Sequence, residues 1–219
     1  MICKMKLKKL NGKSLFAVLF LILLVGCQKN DILNSDTHKL DLSTLYNSDN
    51  GYCYSNIEWG SSIKNIEKVI KSDLEEGHLL KNEELNLDGK MMYVNNPIEL
   101  FGFLGSQSME FNHDKLINIT FQFNPTQENS SDDMDEFFDK IVSTLETFYG
   151  EATDISSNSG EIEPDLSSST TKYLWSSNKT KDGFFTNLQV VNLKLNENPG
   201  VIYITLAFVQ DDGSGILKQ

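Results

Sequence analysis

The side chains best suited to chemistry are thinly spread along this chain. Its three histidines, His38, His78 and His113, stand far apart, and none lies three or four residues from another as ligands on one helix face would. No cysteine cluster accompanies them, so a zinc motif is absent. His113 has Asp114 and Ser108 near it in the chain, but adjacent side chains do not point at one another, and no Gly-x-Ser-x-Gly elbow raises a serine. All three histidines read as solvated polar residues. Asp132, Asp133, Asp135, Glu136 and Asp139 form the densest acidic cluster. A calcium loop of the EF-hand type needs a glycine at its sixth position and a glutamate at its twelfth, and this run has neither. Carboxylates in the first turn of a helix interact favourably with its dipole, so the cluster reads as a helix start rather than a metal site. Glu75-Glu76 and Asp211-Asp212 read as solvated faces and ends.

Charge narrows the choice of partner. The chain holds 31 acidic residues against 19 basic ones, for a formal net charge of −12. The lysines at 4, 6, 8, 9 and 13 all precede the first acid, Asp31, so removal of residues 1–26 leaves a body of −17. Such a body repels phosphate backbones and anionic lipid head groups, which argues against nucleic acid. Arginine is absent, and with it the bidentate guanidinium fork common at phosphate sites. Of the three cysteines, Cys3 and Cys27 lie at the N-terminal end, which leaves Cys53 alone with no partner for an intramolecular disulfide. Cys53 sits between Tyr52 and Tyr54 with no local base, and reads as a buried inert thiol rather than a nucleophile.

The first 27 residues carry the most specific signal. A basic start is followed by an uninterrupted apolar run over 15–25, the plan of a secretory signal peptide. At about 1.5 Å per residue the run covers only about 17 Å, short of the roughly 30 Å of a bilayer's hydrocarbon. At its end stands Leu24-Val25-Gly26-Cys27. This resembles the lipobox of bacterial lipoproteins, with Val25 where Ala or Ser is commoner. The resemblance implies a diacylglycerol on the Cys27 thiol and cleavage just before Cys27. It further implies a membrane-anchored, extracytoplasmic protein. With Gln28 rather than Asp next, it implies the outer membrane in a host that has two. Two or more acyl chains make such anchoring stable where one is marginal.

Residues 27–50 are rich in Asn, Asp and Ser and read as a lipidated polar tether, with a root-mean-square reach of roughly 25 Å as a flexible coil. A single domain is expected over 51–212, with a C-terminal tail over 213–219. Ile63, Ile66, Val69 and Ile70 recur at helical spacing and predict a helix over 62–74. Strands are expected over 91–94, 98–103, 107–111 and 116–123, with a hairpin turn at Asn112-His113-Asp114-Lys115. Met134, Phe137, Phe138, Ile141, Leu145 and Phe148 make one apolar stripe, capped by Ser130-Ser131-Asp132-Asp133 and stopped by Gly150, which predicts a second helix. Residues 155–171, Ser-rich and acidic around Pro164, read as a long exposed loop. Strands follow over 172–176, 184–195 and 201–209. The apolar parity changes near Val190-Val191, which predicts a bulge there. Nearly every position of 201–209 is apolar, as in a central strand. The fold class is therefore α+β: two helices on an antiparallel sheet, in the order helix, strands, helix, strands. Each half carries a Trp-Ser pair, at Trp59 and Trp175, but at different places relative to the helix, so a repeat is left open.

Phe101, Phe103, Phe111, Phe121, Phe123, Phe137, Phe148, Trp175 and Phe208 fit core positions. Tyr46, Tyr52, Tyr54, Phe184 and Phe185 fit them least and form a candidate exposed recognition patch. The hairpin over 109–123, following a Trp-Gly-Ser-Ser helix start, resembles uncharacterised extracytoplasmic lipoproteins. More distantly, the plan is similar to β-lactamase-inhibitor proteins and to the small lipoprotein of the barrel-assembly machinery. That resemblance implies binding of an envelope protein rather than catalysis. No cofactor is implied. An envelope hydrolase using scattered carboxylates and a small solute-binding lipoprotein are the competing readings. The second of these needs two larger lobes than this chain offers.

Overall fold

Alternation of apolar and polar residues from Ile117 to Phe123 makes β7 (Lys115–Phe123) a strand whose regular dry face begins at Ile119, because a register shift at its start buries Leu116 in place of Ile117. Its buried Ile119, Phe121 and Phe123 lie opposite Leu206, Ile204 and Ile202 of β11 (Val201–Val209), which are fully buried. On the other face Thr120 meets Thr205, with their hydroxyls 3.2 Å apart, and Gln122 meets Tyr203. A computed structural model describes residues 37–55, 57–71, 79–82, 89–163, 166–177, 185–196 and 198–209, within the unit Asp36–Gln219. The expected signal segment, Cys27, His78, Phe184 and the tail expected over 213–219 lie outside the described residues.

The other strands are β1 (His38–Lys39), β2 (Tyr46–Asn47), β3 (Gly51–Tyr52), β4 (Leu79–Asn82), β5 (Gly89–Leu100) and β6 (Phe103–Asn112), then β8 (Asp154–Glu163), β9 (Leu166–Ser177) and β10 (Phe185–Leu195). Nine of them form one sheet in the order β1-β5-β6-β7-β11-β10-β9-β8, with β4 also on the outer edge of β5. All its pairings are antiparallel except β1 with β5. The helices are α1 (Ile63–Lys71) and α2 (Ser131–Tyr149). One helix and four strands thus occur twice in succession, and the last strands of the two halves, β7 and β11, form the seam. Each half then steps outward in the same sequence, so the order of elements repeats even though Trp59 and Trp175 do not correspond.

α2 is built as its sequence dictates. Ser130 Oγ accepts from Asp133 N–H while Ser130 N–H donates to Asp133, a reciprocal cap. Met134, Phe137, Phe138, Ile141, Val142 and Leu145 are buried against the sheet. Phe137 stacks on Phe103 with centroids 4.1 Å apart and meets Phe123 edge-on. Trp175, on β9, donates its indole N–H to Gly150 O at 2.9 Å and so ties the helix end to the sheet.

Four expectations need correction. Residues 155–171 are not a loop, because β8 and β9 pair from Asp154↔Leu174 to Glu163↔Leu166. Serine and threonine sit comfortably on a pleated surface, and an edge hairpin exposed on both sides needs no apolar alternation. No bulge interrupts β10, whose register with β11 runs unbroken from Phe185↔Val209 to Leu193↔Val201. The parity change arises because buried Asn192 takes a core-facing position and donates to Asp135 of α2 at 3.0 Å. The strands expected over 91–94 and 98–103 are one strand, β5, which ends in a turn at Phe101-Gly102.

The fourth correction concerns the tether. From His38 onward it is part of the fold. β1 pairs with Ile98 and Glu99, a 3-10 turn at Leu42–Thr44 is capped by Asp41, and β2 and β3 form a small hairpin. This strap starts on β5 and ends on β10, where Tyr52 N–H donates to Thr186 Oγ1 at 2.8 Å. Leu40, Leu42, Leu45, Tyr52 and Cys53 are all buried along it. Gly51 is required there: its φ is +67°, and a Cβ would stand 2.2 Å from Thr186 Oγ1.

Candidate recognition surface

Where the strap crosses the end of α2, four aromatic residues meet. Tyr52 lies beneath, with Tyr46 edge-on to it at 5.2 Å and Tyr149 edge-on at 5.6 Å between ring centroids. Phe148 reaches Tyr149 at 6.1 Å. Tyr46 is 43 % exposed and Phe148 49 %, so the upper layer of the cluster is open to solvent. The lower layer is pinned: Tyr149 OH donates to Leu42 O at 2.5 Å and accepts from Leu45 N–H at 3.1 Å. Burial pushes the phenols of Tyr52 and Tyr149 up to about 12, since a phenolate would be poorly hydrated there. Asp49 in the β2–β3 turn and Glu151 just after α2 are exposed, and Glu146 of α2 is half-buried.

Of the residues expected to form an exposed patch, the structure brings Tyr46 to the surface and withdraws Tyr52, Tyr54 and Phe185 in whole or in part. Tyr52 is 6 % exposed, because its neighbours Leu45 and Cys53 carry it into the core. Tyr54 is half-buried against Phe121, with ring centroids 5.0 Å apart. Phe185 is half-buried on β10, and Phe184 lies outside the described residues. In the other direction, Phe148 and Phe101, expected in the core, are exposed. Phe148 extends the apolar stripe of α2 past the edge of the sheet, and periodicity alone cannot show where the sheet stops. Its place two residues before the terminating Gly150 was the available signal.

Among the described residues, the titratable side chains do not converge on one site. His38 is exposed on β1 and His113 is exposed in the β6–β7 turn with φ of 48°. Asp133 serves the α2 cap, and Ser130 holds its carboxyl below the usual range. Asp135 receives Lys194 Nζ at 2.6 Å and Asn192 Nδ2. Cys53 accepts from Asn47 Nδ2 at 3.0 Å, and burial pushes its thiol up, which favours the unreactive form. Among the described residues no three His, Cys, Asp or Glu side chains gather as a metal would require, and no helix is long and apolar enough to cross a membrane. A surface of this kind can bind by aromatic contact. No protein-family model matches the chain, and no curated protein matches it in sequence.

Proposed function

We propose that this protein is a membrane-anchored extracytoplasmic lipoprotein that binds another envelope protein and catalyses nothing itself. The observation that carries the binding reading is the braced aromatic surface of Tyr46, Phe148 and Tyr149. Aromatic side chains held from beneath lose little entropy on docking, so contact there yields affinity efficiently. Leu24-Val25-Gly26-Cys27 supports the anchor, with the lipid on Cys27. The eleven residues from Cys27 to His38 reach at most about 38 Å when fully extended. The body is therefore kept at the membrane surface, where an envelope partner is met.

The test is a photo-crosslinking amino acid at position 46 or 148 in intact cells, with position 161 on the exposed edge hairpin as control. One defined partner captured from 46 and 148, absent from 161, and lost when the crosslinker at 46 is combined with Phe148→Ser or the one at 148 with Tyr46→Ser, is the expected result. Equal capture at all three positions would show no recognition surface. Turnover by the purified protein, lost on changing clustered carboxylates, would replace binding with hydrolysis.

A further inference from the structure

The β5–β6 turn is apolar where solvent access and backbone geometry both disfavour it. Phe101 has φ of 52° and Gly102 φ of 90°. Two left-handed residues in a row are the two-residue hairpin turn that Asn and Gly ordinarily fill, and a bulky ring there is a strained choice. The turn does not repay that strain by burial. Phe101 is 38 % exposed, and Leu104, at 60 %, is the most exposed large apolar side chain among the described residues. Phe101 is nonetheless held in place, edge-on to Phe137 at 6.5 Å and with Lys140 Nζ 4.3 Å from its ring centroid.

The position of this turn relative to the anchor gives it a use. His38 pairs with Ile98 and Lys39 with Glu99, so the chain arriving from Cys27 joins the body three residues along β5 from Phe101. At about 3.4 Å per strand residue the turn lies only about 10 Å beyond that junction. The eleven residues back to Cys27 span up to about 38 Å, so acyl chains on Cys27 leave the turn free to touch the bilayer. We propose that Phe101 and Leu104 insert at the boundary of head groups and acyl chains, a second and reversible membrane contact that fixes how the body faces its partner. The inference rests on the lipid at Cys27. A lipid surface is the fitting occupant because a narrow hairpin tip offers two side chains, far less than the roughly 1,200 Å² of a specific protein interface. Lys140 beside Phe101, and Lys39 next to the junction, can meet lipid phosphates. Glu99, Glu136 and Asp139 offset them, so insertion depends on the apolar residues and not on anionic lipid.

The test uses the full lipidated protein on phosphatidylethanolamine–phosphatidylcholine vesicles. Leu104→Cys and Ile155→Cys are each labelled with a nitrobenzoxadiazole fluorophore. Ile155 is 56 % exposed on β8, at the far edge of the sheet, and treated wild type corrects for the buried Cys53. The label at 104 is expected to shift to the blue and to resist reduction by aqueous dithionite several-fold longer than the label at 155. Phe101→Gly, which keeps the left-handed turn, should melt like the wild type yet remove most of that protection. Flotation with the vesicles reads the anchor separately, and its loss would overturn the lipid reading and this contact together. Intact flotation with equal reduction at both sites would overturn the contact alone. Protection that appears only at high protein-to-lipid ratio would also overturn it, by assigning the turn to a second copy.

Discussion

Replacing Leu45 by alanine separates a strap from a tether. In a flexible tether the change would cost nothing measurable, whereas Leu45 is fully buried. Its backbone is held on both sides, with its N–H donating to Tyr149 OH and its carbonyl accepting from Cys53 N–H. The surroundings therefore have little freedom to collapse into the space left, which places the cost in the upper part of the range for a buried leucine, about 3–4 kcal/mol. That is a large share of the roughly 5–15 kcal/mol that holds a domain together. With a urea slope of about 2 kcal/mol per M, the midpoint should fall by about 1.5–2 M. Leu104→Ala, at an exposed position, should change stability by no more than about 0.5 kcal/mol. The assay is urea unfolding of the purified protein followed by circular dichroism. A Leu45→Ala midpoint within about 0.3 M of wild type, at an unchanged slope of about 2 kcal/mol per M, would refute the strap.

Three further expectations follow from the same packing. Gly51→Ala combines a left-handed backbone with a contact at 2.2 Å and should destabilise by about 2–4 kcal/mol, whereas Gly60→Ala has φ of 75° but open space and should cost about 1 kcal/mol; equal costs in thermal melts would contradict the close approach. Tyr149→Phe leaves Leu42 O and Leu45 N–H without their partner and should cost about 1–3 kcal/mol, read by the same urea experiment; no change would mean these bonds do not hold the strap. Tyr52, Tyr149 and Tyr203 have phenols raised to about 12, so the folded state keeps the proton that the unfolded chain releases near 10. Their contribution is complete below pH 10 and should fade as pH rises from 10 through 12. Tyrosinate absorbance should lag for these residues and then rise together with unfolding, and a urea midpoint that stays flat across that interval would contradict it.

The repeating elements were legible in the sequence because their physics is local. The stripe from Met134 to Leu145 with its Ser130 cap, the alternation of 119–123 and the turn at His113-Asp114 appear where periodicity and turn chemistry put them, whereas a register shift takes Ile117 off the dry face and buries Leu116. What escaped is tertiary. Leu40, Leu42 and Leu45 follow no period and lie among Asp, Ser and Thr, so only their contacts with α2 and the sheet reveal them as core. The Ser-rich edge hairpin lacks any apolar signal because both of its sides are wet. The aromatic surface was legible in kind but not in membership. Tyr46 and Tyr52 are six residues apart in the same polar stretch, and the strap turns one outward and the other inward. Cys27 is the one site residue whose proposed role rests on sequence order alone, through the basic start, the apolar run and the small residue before it.

That role is where the account is most directly exposed. Cells expressing the protein are fed an alkyne fatty acid, the protein is isolated, and the N-terminal peptide is weighed by mass spectrometry. Label is expected on the wild type and not on Cys27→Ser, with a mature chain that begins at Cys27 and carries the mass of a diacylglycerol. Equal labelling of both proteins, or an unmodified Cys27 in a mature chain that begins elsewhere, would contradict it.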